Sequence, residues 1–272
     1  MSLVVPFEPD RFRSAAGHYR TGRQNYAPGL IARVEQLCGL RPGDAVLDLG
    51  SGPAPLGVAF AARGYDVTAV DPAPEMLRDA AEAAREAGVT IRLVEGSSYT
   101  LEPSLGRFAL VAIGRAFHWM DRADTLRRLD AMVPPGGCVA LFSASNPAVP
   151  ANRWSDTYEA LLRGADSGLS PRRLRDRADW LSNEAVLLDG PFPRIERVAV
   201  LERRQTPVEH FRDRALSMSS TSAARIGEAA AQRLGEEVLR AMAAFAEDGM
   251  VPEVVESRAV LAWREGEHEG AG

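Results

Sequence analysis

The sequence predicts an α/β protein in which a largely parallel sheet is covered by helices on both faces. Two observations support this fold class. Between about residues 44 and 143, apolar runs of strand length alternate with segments of helical periodicity, and the connections are short. A glycine-bearing turn at Gly50 and Gly52 joins the first strand to a helix. Strands that alternate with helices pair in parallel, because each helix returns the chain across one face of the sheet.

Hydrophobic periodicity assigns the elements of this region in order. Buried strands appear as short apolar runs, whereas helices repeat their apolar residues every three to four positions. The predicted elements are helix 28–39, strand 44–49, helix 55–64, strand 66–70, helix 73–87, strand 89–94, strand 108–113, helix 121–132 and strand 136–143. Pro55 suits the first helical position, where the missing N–H would have had no partner in any case.

After residue 143 the pattern is mainly helical. The predicted elements are helices 152–165 and 171–182, strand 196–206, helices 207–218 and 222–247, and a last strand 253–264. Long helical stretches between strands are typical of insertions above a sheet edge. The sequence therefore predicts one domain with four parts: an N-terminal arm and helix (1–40), a core (41–143), a cap insertion (144–194), and final strands with a second cap insertion at about 207–250 (195–272).

Glycine and polar residues gather where the predicted strands end. These residues are Gly50 to Pro53, Asp71, Ser97 and Gly114 to Trp119. Ligands of open α/β sheets bind beyond the carboxyl ends of the strands, near the point where the strand order reverses. An acid at the end of the second strand, such as Asp71, can accept both hydroxyls of a ribose. The sequence therefore predicts a single nucleoside-binding cleft.

Two cofactor classes compete for this cleft. A dinucleotide turn has the pattern G-x-G-x-x-G, whose third glycine allows close packing of helix on strand. Counted from Gly50, the third position is Pro55, so the dinucleotide pattern fails. The alternative is D-x-G-x-G, which Asp48, Gly50 and Gly52 match.

With this motif the chain resembles the class I S-adenosylmethionine (SAM) methyltransferases, although Ala54 replaces their usual third glycine. The runs FALVAIGRAFHWMD (108–121) and LRRLDAMVPPGGCVALF (126–142) resemble the fourth strand, the following helix and the fifth strand of that family. The resemblance implies a Rossmann-like sheet of seven strands, mostly parallel with the last strand antiparallel, and a helical cap over its carboxyl edge.

The resemblance also implies roles for the cleft residues. Cofactor contacts are expected from the turn, from Asp71 at the ribose, from Met76 over the adenine, from Ser97 in place of the family's usual acid and from Gly114. The turn contributes Asp48, Gly50, Ser51 and Gly52. The cofactor is then SAM, with S-adenosylhomocysteine (SAH) as product.

Acceptor contacts are expected from two further segments that resemble this family. AAGHYRTGRQNYAPGL (15–30) resembles the arm of small-molecule members, and RRQTPVEHFRDRALSMSS (203–220) is similar to the lid of the trans-aconitate methyltransferases. The candidate substrate-binding residues are Tyr19, Arg23, Arg115, Trp119 and Ser217.

His118 is the candidate catalytic base, since imidazole titrates near neutral pH and a phenol, alcohol or amine acceptor must lose a proton. The competing interpretation is that His118 and Trp119 only wall the pocket. The sequence contains no pattern of metal ligands and no Ser–His–acid motif.

Composition excludes several other classes. All 32 basic residues are arginine, so chemistry that requires a lysine amine, such as pyridoxal-phosphate or P-loop chemistry, is excluded. Two cysteines cannot build a disulfide framework, and neither a leader nor a long apolar run is present, so we expect a cytoplasmic protein. The net charge of −5 disfavours a nucleic-acid partner.

These observations predict a SAM-dependent methyltransferase of a small molecule, with O-methylation in secondary metabolism favoured. The alternatives are a carboxyl methyltransferase of small acids, an N- or C-methyltransferase, and a non-catalytic SAM-binding protein. The acceptor and the oligomeric state do not follow from the sequence.

Overall fold

The computed structural model describes residues 3–8, 16–168 and 171–266. Seven strands form one sheet: β1 (Ala45–Leu49), β2 (Asp66–Asp71), β3 (Arg92–Glu95), β4 (Leu110–Gly114), β5 (Cys138–Ser145), β6 (Arg194–Pro207) and β7 (Met250–Trp263). Their spatial order is β3-β2-β1-β4-β5-β7-β6. Strands β1 to β5 pair in parallel, whereas β7 runs antiparallel to both β5 and β6. The predicted seven-stranded sheet with an antiparallel last strand is confirmed.

The helices surround this sheet. They are α1 (Ala16–Gly22), α2 (Pro28–Leu37), α3 (Pro55–Ala61), α4 (Pro74–Glu86), α5 (Arg122–Asp130), α6 (Ser155–Ala165), α7 (Pro171–Arg175), α8 (Asn183–Leu188), α9 (Val208–Leu216), α10 (Ala223–Ile226) and α11 (Glu228–Ala243). Within the residues described, no helix combines the length and the apolar character that crossing a bilayer requires.

Two apolar clusters cover the two faces of the sheet because successive side chains of a strand point to opposite sides. On β1, Leu47 belongs to the cluster that packs under α5 and α8, whereas Val46 belongs to the cluster under α2 and α3. The strands β1, β2, β4 and β5 are largely buried on both faces, as expected for parallel strands, whereas the edge strand β3 is partly exposed. This packing leaves their carboxyl ends as the place where polar groups can meet a ligand.

The order in which successive strands are added to the sheet reverses between β1 and β4. Strand β1 pairs with β2 on one side and with β4 on the other, so the connections that follow β1 and β4 diverge. A crevice opens at such a reversal, outside the carboxyl ends of the strands. The glycine turn after β1 and the loop after β4 form its two sides.

A third apolar cluster packs mainly between helices and meets the sheet at Val251 of β7. It joins α6, α9 and α11, with Trp154, Tyr158 and Phe211 in mutual edge-to-face contact. Its residues come from both segments that the sequence predicts as cap insertions. The four-part division of the chain, whose first part includes residues outside the described ranges, stays a prediction.

Two predicted helices differ from the structure, and the helices α1 and α8 were not predicted. The helix predicted at 171–182 ends at Arg175, and the helix predicted at 222–247 is divided into α10 and α11 at Gly227, whose φ is 83°. Helix α8 was not predicted, although Ser182 caps it by accepting a hydrogen bond from the Ala185 N–H at 3.1 Å. Short polar caps and single glycines therefore divide the second half of the chain more finely than its periodicity indicates.

Candidate functional site: the cleft at the carboxyl ends of the parallel strands

The turn after β1 presents its backbone to the crevice. The N–H groups of Gly50 and Ser51 both donate to the Val70 carbonyl, at 2.8 and 3.1 Å, which holds the turn against β2. Gly50 has φ 66°, and a Cβ there would lie 2.7 Å from the Ala116 Cβ. Only glycine combines this conformation with this approach. Ser51 contributes its backbone to the turn, and its side chain does not line the cleft.

Asp71 ends β2 directly beside this turn. One carboxylate oxygen accepts from the Gly52 N–H at 2.8 Å, and the other accepts from the Ala73 N–H at 3.0 Å. Burial raises the pKa of Asp71, and the two backbone hydrogen bonds oppose that shift. Each oxygen retains a lone pair for a further donor. Asp71 therefore both fixes the glycine turn and offers two acceptors to a diol.

Asp48 lies deeper in the sheet. It is 1% exposed, and its Oδ2 accepts from the Gly57 N–H of α3 at 2.8 Å. Burial raises the pKa of Asp48 to about 7, against the opposing effect of the Gly57 hydrogen bond. Asp48 therefore positions the first turn of α3 and does not line the cleft.

The position of the family's usual third glycine is held by Ala54, which adopts a left-handed conformation with φ 53°. The close contact between helix and strand occurs instead at Gly57, where a Cβ would lie 3.2 Å from Asp48 Oδ2. The sequence analysis did not single out Gly57. Its signal was available in the sequence, because Gly57 is the next glycine after the turn.

The crevice is a cleft with an empty volume of about 800 Å³, open solvent at its mouth included. Nine of the predicted site residues line it: Tyr19, Gly50, Gly52, Asp71, Met76, Ser97, Gly114, Arg115 and Trp119. They come from α1, from the carboxyl ends of β1, β2 and β4, from α4 and from the loops that follow β3 and β4. The fold therefore brings together, near the strand ends, predicted site residues that are up to 100 positions apart.

Met76 and Ser97 lie on the side of the cleft that follows β2 and β3. Met76 is 2% exposed and projects from the first turn of α4. Ser97 caps a 3-10 helix, Ser98–Thr100, by accepting from the Tyr99 N–H at 3.3 Å, and its own N–H donates to Thr100 Oγ1 at 2.9 Å. The Ser97 hydroxyl proton is still available to donate to a ligand.

The sequence analysis missed one wall of the cleft. Pro6, Phe7 and Glu8 line it from the N-terminal end of the chain, and the Phe7 ring lies 5.2 Å from that of Tyr99, measured between centroids. Glu8 forms an ion pair with Arg225 of α10. Nothing in the local sequence of residues 3–8 indicates this position, because it depends on contacts with residues more than 90 positions away.

His118, Arg23 and Ser217 do not line this cleft. His118 lies in a 3-10 helix, Phe117–Trp119, with its ring 4.5 Å from that of Trp119. Ser217 is fully buried, and its hydroxyl donates to the Arg214 carbonyl at 2.9 Å. Arg23 lines a neighbouring cavity, which shares Tyr19 and Arg115 with the cleft. Of the proposed substrate contacts, Ser217 is engaged in packing the end of α9.

In the part of the chain that the structure describes, no group of three or more His, Cys, Asp or Glu side chains could hold a metal ion. The cleft instead offers backbone amides, the carboxylates of Asp71 and Glu8, aromatic rings and one guanidinium. Such a set suits an organic ligand with a ribose and a flat base.

Comparison with known proteins identifies the chemistry associated with this fold. A family model described as "Methyltransferase domain" matches residues 46–137. An uncharacterized methyltransferase of Mycobacterium tuberculosis is 36% identical over 130 residues, which are 48% of this chain and 50% of that protein. The chain thus spans about half the length of this relative.

A second relative aligns over more of its length. The ubiquinone biosynthesis O-methyltransferase of Methylobacterium sp. is 32% identical over 192 residues, which cover 68% of this chain and 70% of that protein. Among solved structures, a SAM-dependent methyltransferase from Geobacter sulfurreducens in complex with SAH has a TM-score of 0.52 at 20% identity. That comparison covers 94% of this chain and 99% of the other, and it shows a shared fold.

Proposed function

The chain belongs to the class I SAM-dependent methyltransferases, and from this premise we propose that it transfers a methyl group from SAM to a small-molecule acceptor, by O-methylation. The observation that carries this proposal is the junction of Gly52 and Asp71 on one wall of the cleft. There a turn whose backbone is exposed to a ligand is hydrogen-bonded to a carboxylate that retains two acceptor positions.

The residues of the cleft fit SAM. A Cβ at Gly50 would collide with Ala116, so only glycine lets the turn lie this close to the loop that follows β4. Asp71 is placed to accept from the two ribose hydroxyls, Met76 to pack on the adenine, and Ser97 to hydrogen-bond with its edge. Phe7 and Tyr99 add two aromatic rings to the same side of the cleft. SAM supplies a methyl group on a positively charged sulfur when bound.

Methyl transfer is an in-line displacement, so the task of the protein is to hold the acceptor atom and the methyl group in line. We assign this positioning to Trp119 and Arg115, which line the cleft after β4, and to Tyr19 from α1. The base role of His118 stays a prediction. Its ring packs on Trp119 and does not itself line the cleft, which supports a role for His118 in holding Trp119 in place.

We further propose that the segments 144–194 and 207–250 act as a cap that excludes water from the acceptor. Their shared apolar cluster of α6, α9 and α11 supports a single rigid cap. Water exclusion strengthens the electrostatic contacts that hold a substrate. A cytoplasmic location and an acceptor other than nucleic acid follow from the composition and remain part of the proposal.

The related ubiquinone biosynthesis O-methyltransferase favours oxygen as the acceptor atom. A carboxyl methyltransferase of small acids, like the trans-aconitate enzymes, is the second candidate, because Arg115 lines the cleft and Arg23 lines the neighbouring cavity. N- or C-methylation and a non-catalytic SAM-binding role are the remaining alternatives.

Isothermal titration with SAH, with NADH as the parallel control, tests the cofactor. We expect micromolar binding of SAH and no heat with NADH, because the third glycine of a dinucleotide turn is Pro55 here. Binding of NADH alone would overturn the proposal. Transfer of labelled methyl groups to a panel of phenols, carboxylic acids and amines then distinguishes the enzyme classes, and binding without any transfer indicates a non-catalytic protein.

A further inference from the structure

Residues 3–8, which we call the strap, join the cap to the cleft without forming a helix or a strand. At one end of the strap, the Leu3 N–H donates to the Asp179 carbonyl at 3.1 Å. At the other end, Glu8 forms an ion pair with Arg225 of α10. Asp179 and Arg225 belong to the two different segments that we propose as the cap. Both ends of the strap are therefore attached to the cap.

The second half of the strap faces the cofactor side of the cleft. Pro6, Phe7 and Glu8 line the cleft, and the Phe7 ring is tilted by 55° to that of Tyr99 at a centroid distance of 5.2 Å. Tyr99 lies after β3, in the 3-10 helix that Ser97 caps. This is the side on which the adenine of SAM is proposed to bind. The strap therefore brings an aromatic ring to that side from outside the sheet.

The Phe7 ring is only partly covered by the protein. Phe7 is 46% exposed, whereas Val5, two positions earlier, is 4% exposed and holds the strap against the molecule. A flat base that stacks on an aromatic ring removes apolar surface of both from water, and this stacking needs no particular hydrogen-bonding pattern. An exposed ring at the wall of a cleft is therefore a suitable contact for the adenine.

Arg225 is fixed to the cap by its own helix. Its N–H donates to the Ser222 carbonyl at 2.8 Å, and its neighbours Ala223 and Ile226 pack against the apolar cluster of the cap. In the ion pair, the Arg225 side chain is 26% exposed and that of Glu8 is 39% exposed. Ion pairs with this much solvent contact add little to the free energy of unfolding. The effect of this pair is instead to set the position of the residue beside Glu8, which is Phe7.

We propose that Phe7 is a further cofactor-binding residue, which stacks on the adenine of SAM, and that Arg225 is a positioning residue, which holds Phe7 in place through Glu8. This inference rests on the proposed function, because the adenine is that of SAM. It makes the cap a part of the cofactor site. A cap arrangement that moves Arg225 changes the affinity for SAM, and bound SAM favours the arrangement in which the ion pair forms.

Calorimetric titrations of two ligands test the proposal. SAH and 5′-methylthioadenosine, which keeps the base and ribose but lacks the amino-acid portion, are titrated into the unmodified protein and its variants. The variants are Phe7→Ala, Phe7→Tyr, Arg225→Gln and the double variant Phe7→Ala with Arg225→Gln. Arg163→Gln is the matched control, since Arg163 forms an exposed ion pair with Glu159 on α6 of the cap and does not line the cleft.

We expect Phe7→Ala to weaken both ligands by the same factor, fivefold or more, because both contain the adenine. Phe7→Tyr, which keeps the ring, should stay within twofold of the unmodified protein. Arg225→Gln should weaken both ligands at least threefold, while its unfolding temperature without ligand shifts by less than about 4 °C. The double variant should bind as Phe7→Ala does, since Arg225 acts through Phe7. Arg163→Gln should match the unmodified protein.

Exchange of the two charges distinguishes positioning from a general effect of the cap. Arg225→Glu alone should weaken SAH at least threefold, because it places two carboxylates together. Arg225→Glu combined with Glu8→Arg restores an ion pair and should bind SAH within twofold of the unmodified protein. Failure of this exchange to restore SAH affinity would show that Arg225 does not act through Glu8.

Unchanged ligand affinity in Phe7→Ala would refute the stacking contact. A further loss when Arg225→Gln is added to Phe7→Ala, equal to its loss in the unmodified protein, would refute the positioning role. If the unmodified protein binds neither SAH nor methylthioadenosine, the proposed function is wrong and this inference falls with it. Binding that the unmodified protein and all the variants share would overturn the role of the strap and leave the proposed function intact.

Discussion

The cleft and the base of the cap contain buried carboxylates in opposite electrostatic situations. Asp71 in the cleft, and Asp48 in the strand beside it, accept hydrogen bonds from backbone N–H groups and form no ion pair with any residue described. Burial raises the pKa of both. At the base of the cap, Glu253 pairs with Arg214, and its pKa is lowered, because the Arg214 charge and several hydrogen bonds outweigh the effect of burial.

The Glu253 network consists of Glu253, Arg214, Thr206, Gln24 and Asn146. Thr206 Oγ1 donates to Glu253 Oε1 at 2.7 Å, and the side-chain amides of Gln24 and Asn146 each donate to Oε2 at 3.2 Å. These residues come from the arm, β6, α9, β7 and the loop after β5. Every oxygen of the carboxylate is satisfied by the protein itself.

The presence or absence of a counter-charge distinguishes buried charges that stabilise this fold from buried charges that can bind a ligand. A buried charge that the protein neutralises, as in the Glu253 network, stabilises the arrangement of elements. A buried charge that the protein leaves without a counter-charge, as at Asp71, is available to a ligand. The predictions below test this separation.

The largest effect is expected from Arg214→Met, which leaves the Glu253 carboxylate buried without its partner. Breaking a buried pair in this way costs about 3–5 kcal/mol of the free energy of unfolding. Denaturant unfolding measures this loss, and SAH binding by the folded protein should stay within threefold. Arg212→Met is the control, because the Arg212 side chain is 38% exposed in its ion pair with Asp213, whereas Arg214 is 8% exposed. Equal losses of unfolding free energy in both variants would show that the Glu253 network stabilises the fold no more than the Arg212–Asp213 pair does.

Asp48→Asn should change how stability depends on pH. The native pKa of about 7 lies above the ordinary value of 3.8, so the folded state holds a proton that the unfolded state releases. The free energy of unfolding therefore falls as pH rises from about 4 to 7, by about 4 kcal/mol at most.

In Asp48→Asn this contribution disappears, and stability in the same window should depend less on pH. Urea unfolding at four pH values between 4 and 8 measures the slope. Asp44→Asn, just before the same strand, should retain the slope of the unmodified protein. Identical slopes in the unmodified protein and in Asp48→Asn would show that Asp48 is ionised throughout this window.

Asp71→Ala should weaken SAH binding tenfold or more, because the ribose loses two charge-assisted hydrogen bonds. The substitution also leaves the Gly52 and Ala73 N–H groups without their acceptor, so a moderate loss of stability is expected. Asp66→Ala, at the exposed start of the same strand, is the matched control. Unchanged SAH affinity in a calorimetric titration would contradict the ribose assignment.

His118→Gln should have the smallest effect. If His118 only supports Trp119, turnover at saturating acceptor falls less than tenfold and its pH profile between 6 and 9 keeps its shape. A general base contributes about a hundredfold or more. A drop of that size, together with loss of the acidic limb of the profile, would establish His118 as the base and would require its ring to reach the cleft.

The sequence analysis identified the parts of the cleft whose signals are local. Asp48, Gly50, Gly52 and Asp71 stand in short motifs at strand ends, and the alternation of strands and helices implies that such ends meet. Phe7 and the Glu253 network have no such local signal. These depend on which distant segments pack together, and no local pattern records that.

The sequence by itself determined the α/β class, the family and the turn that opens the cleft, because periodicity and backbone sterics act over a few residues. Only the tertiary structure decided that Arg23 and Arg115 share a cavity, that the His118 ring packs on Trp119 outside the cleft lining and that Gly57 makes the close contact with Asp48. The physical reason is that burial and charge pairing belong to the packed molecule, in which residues nearly 100 positions apart become neighbours.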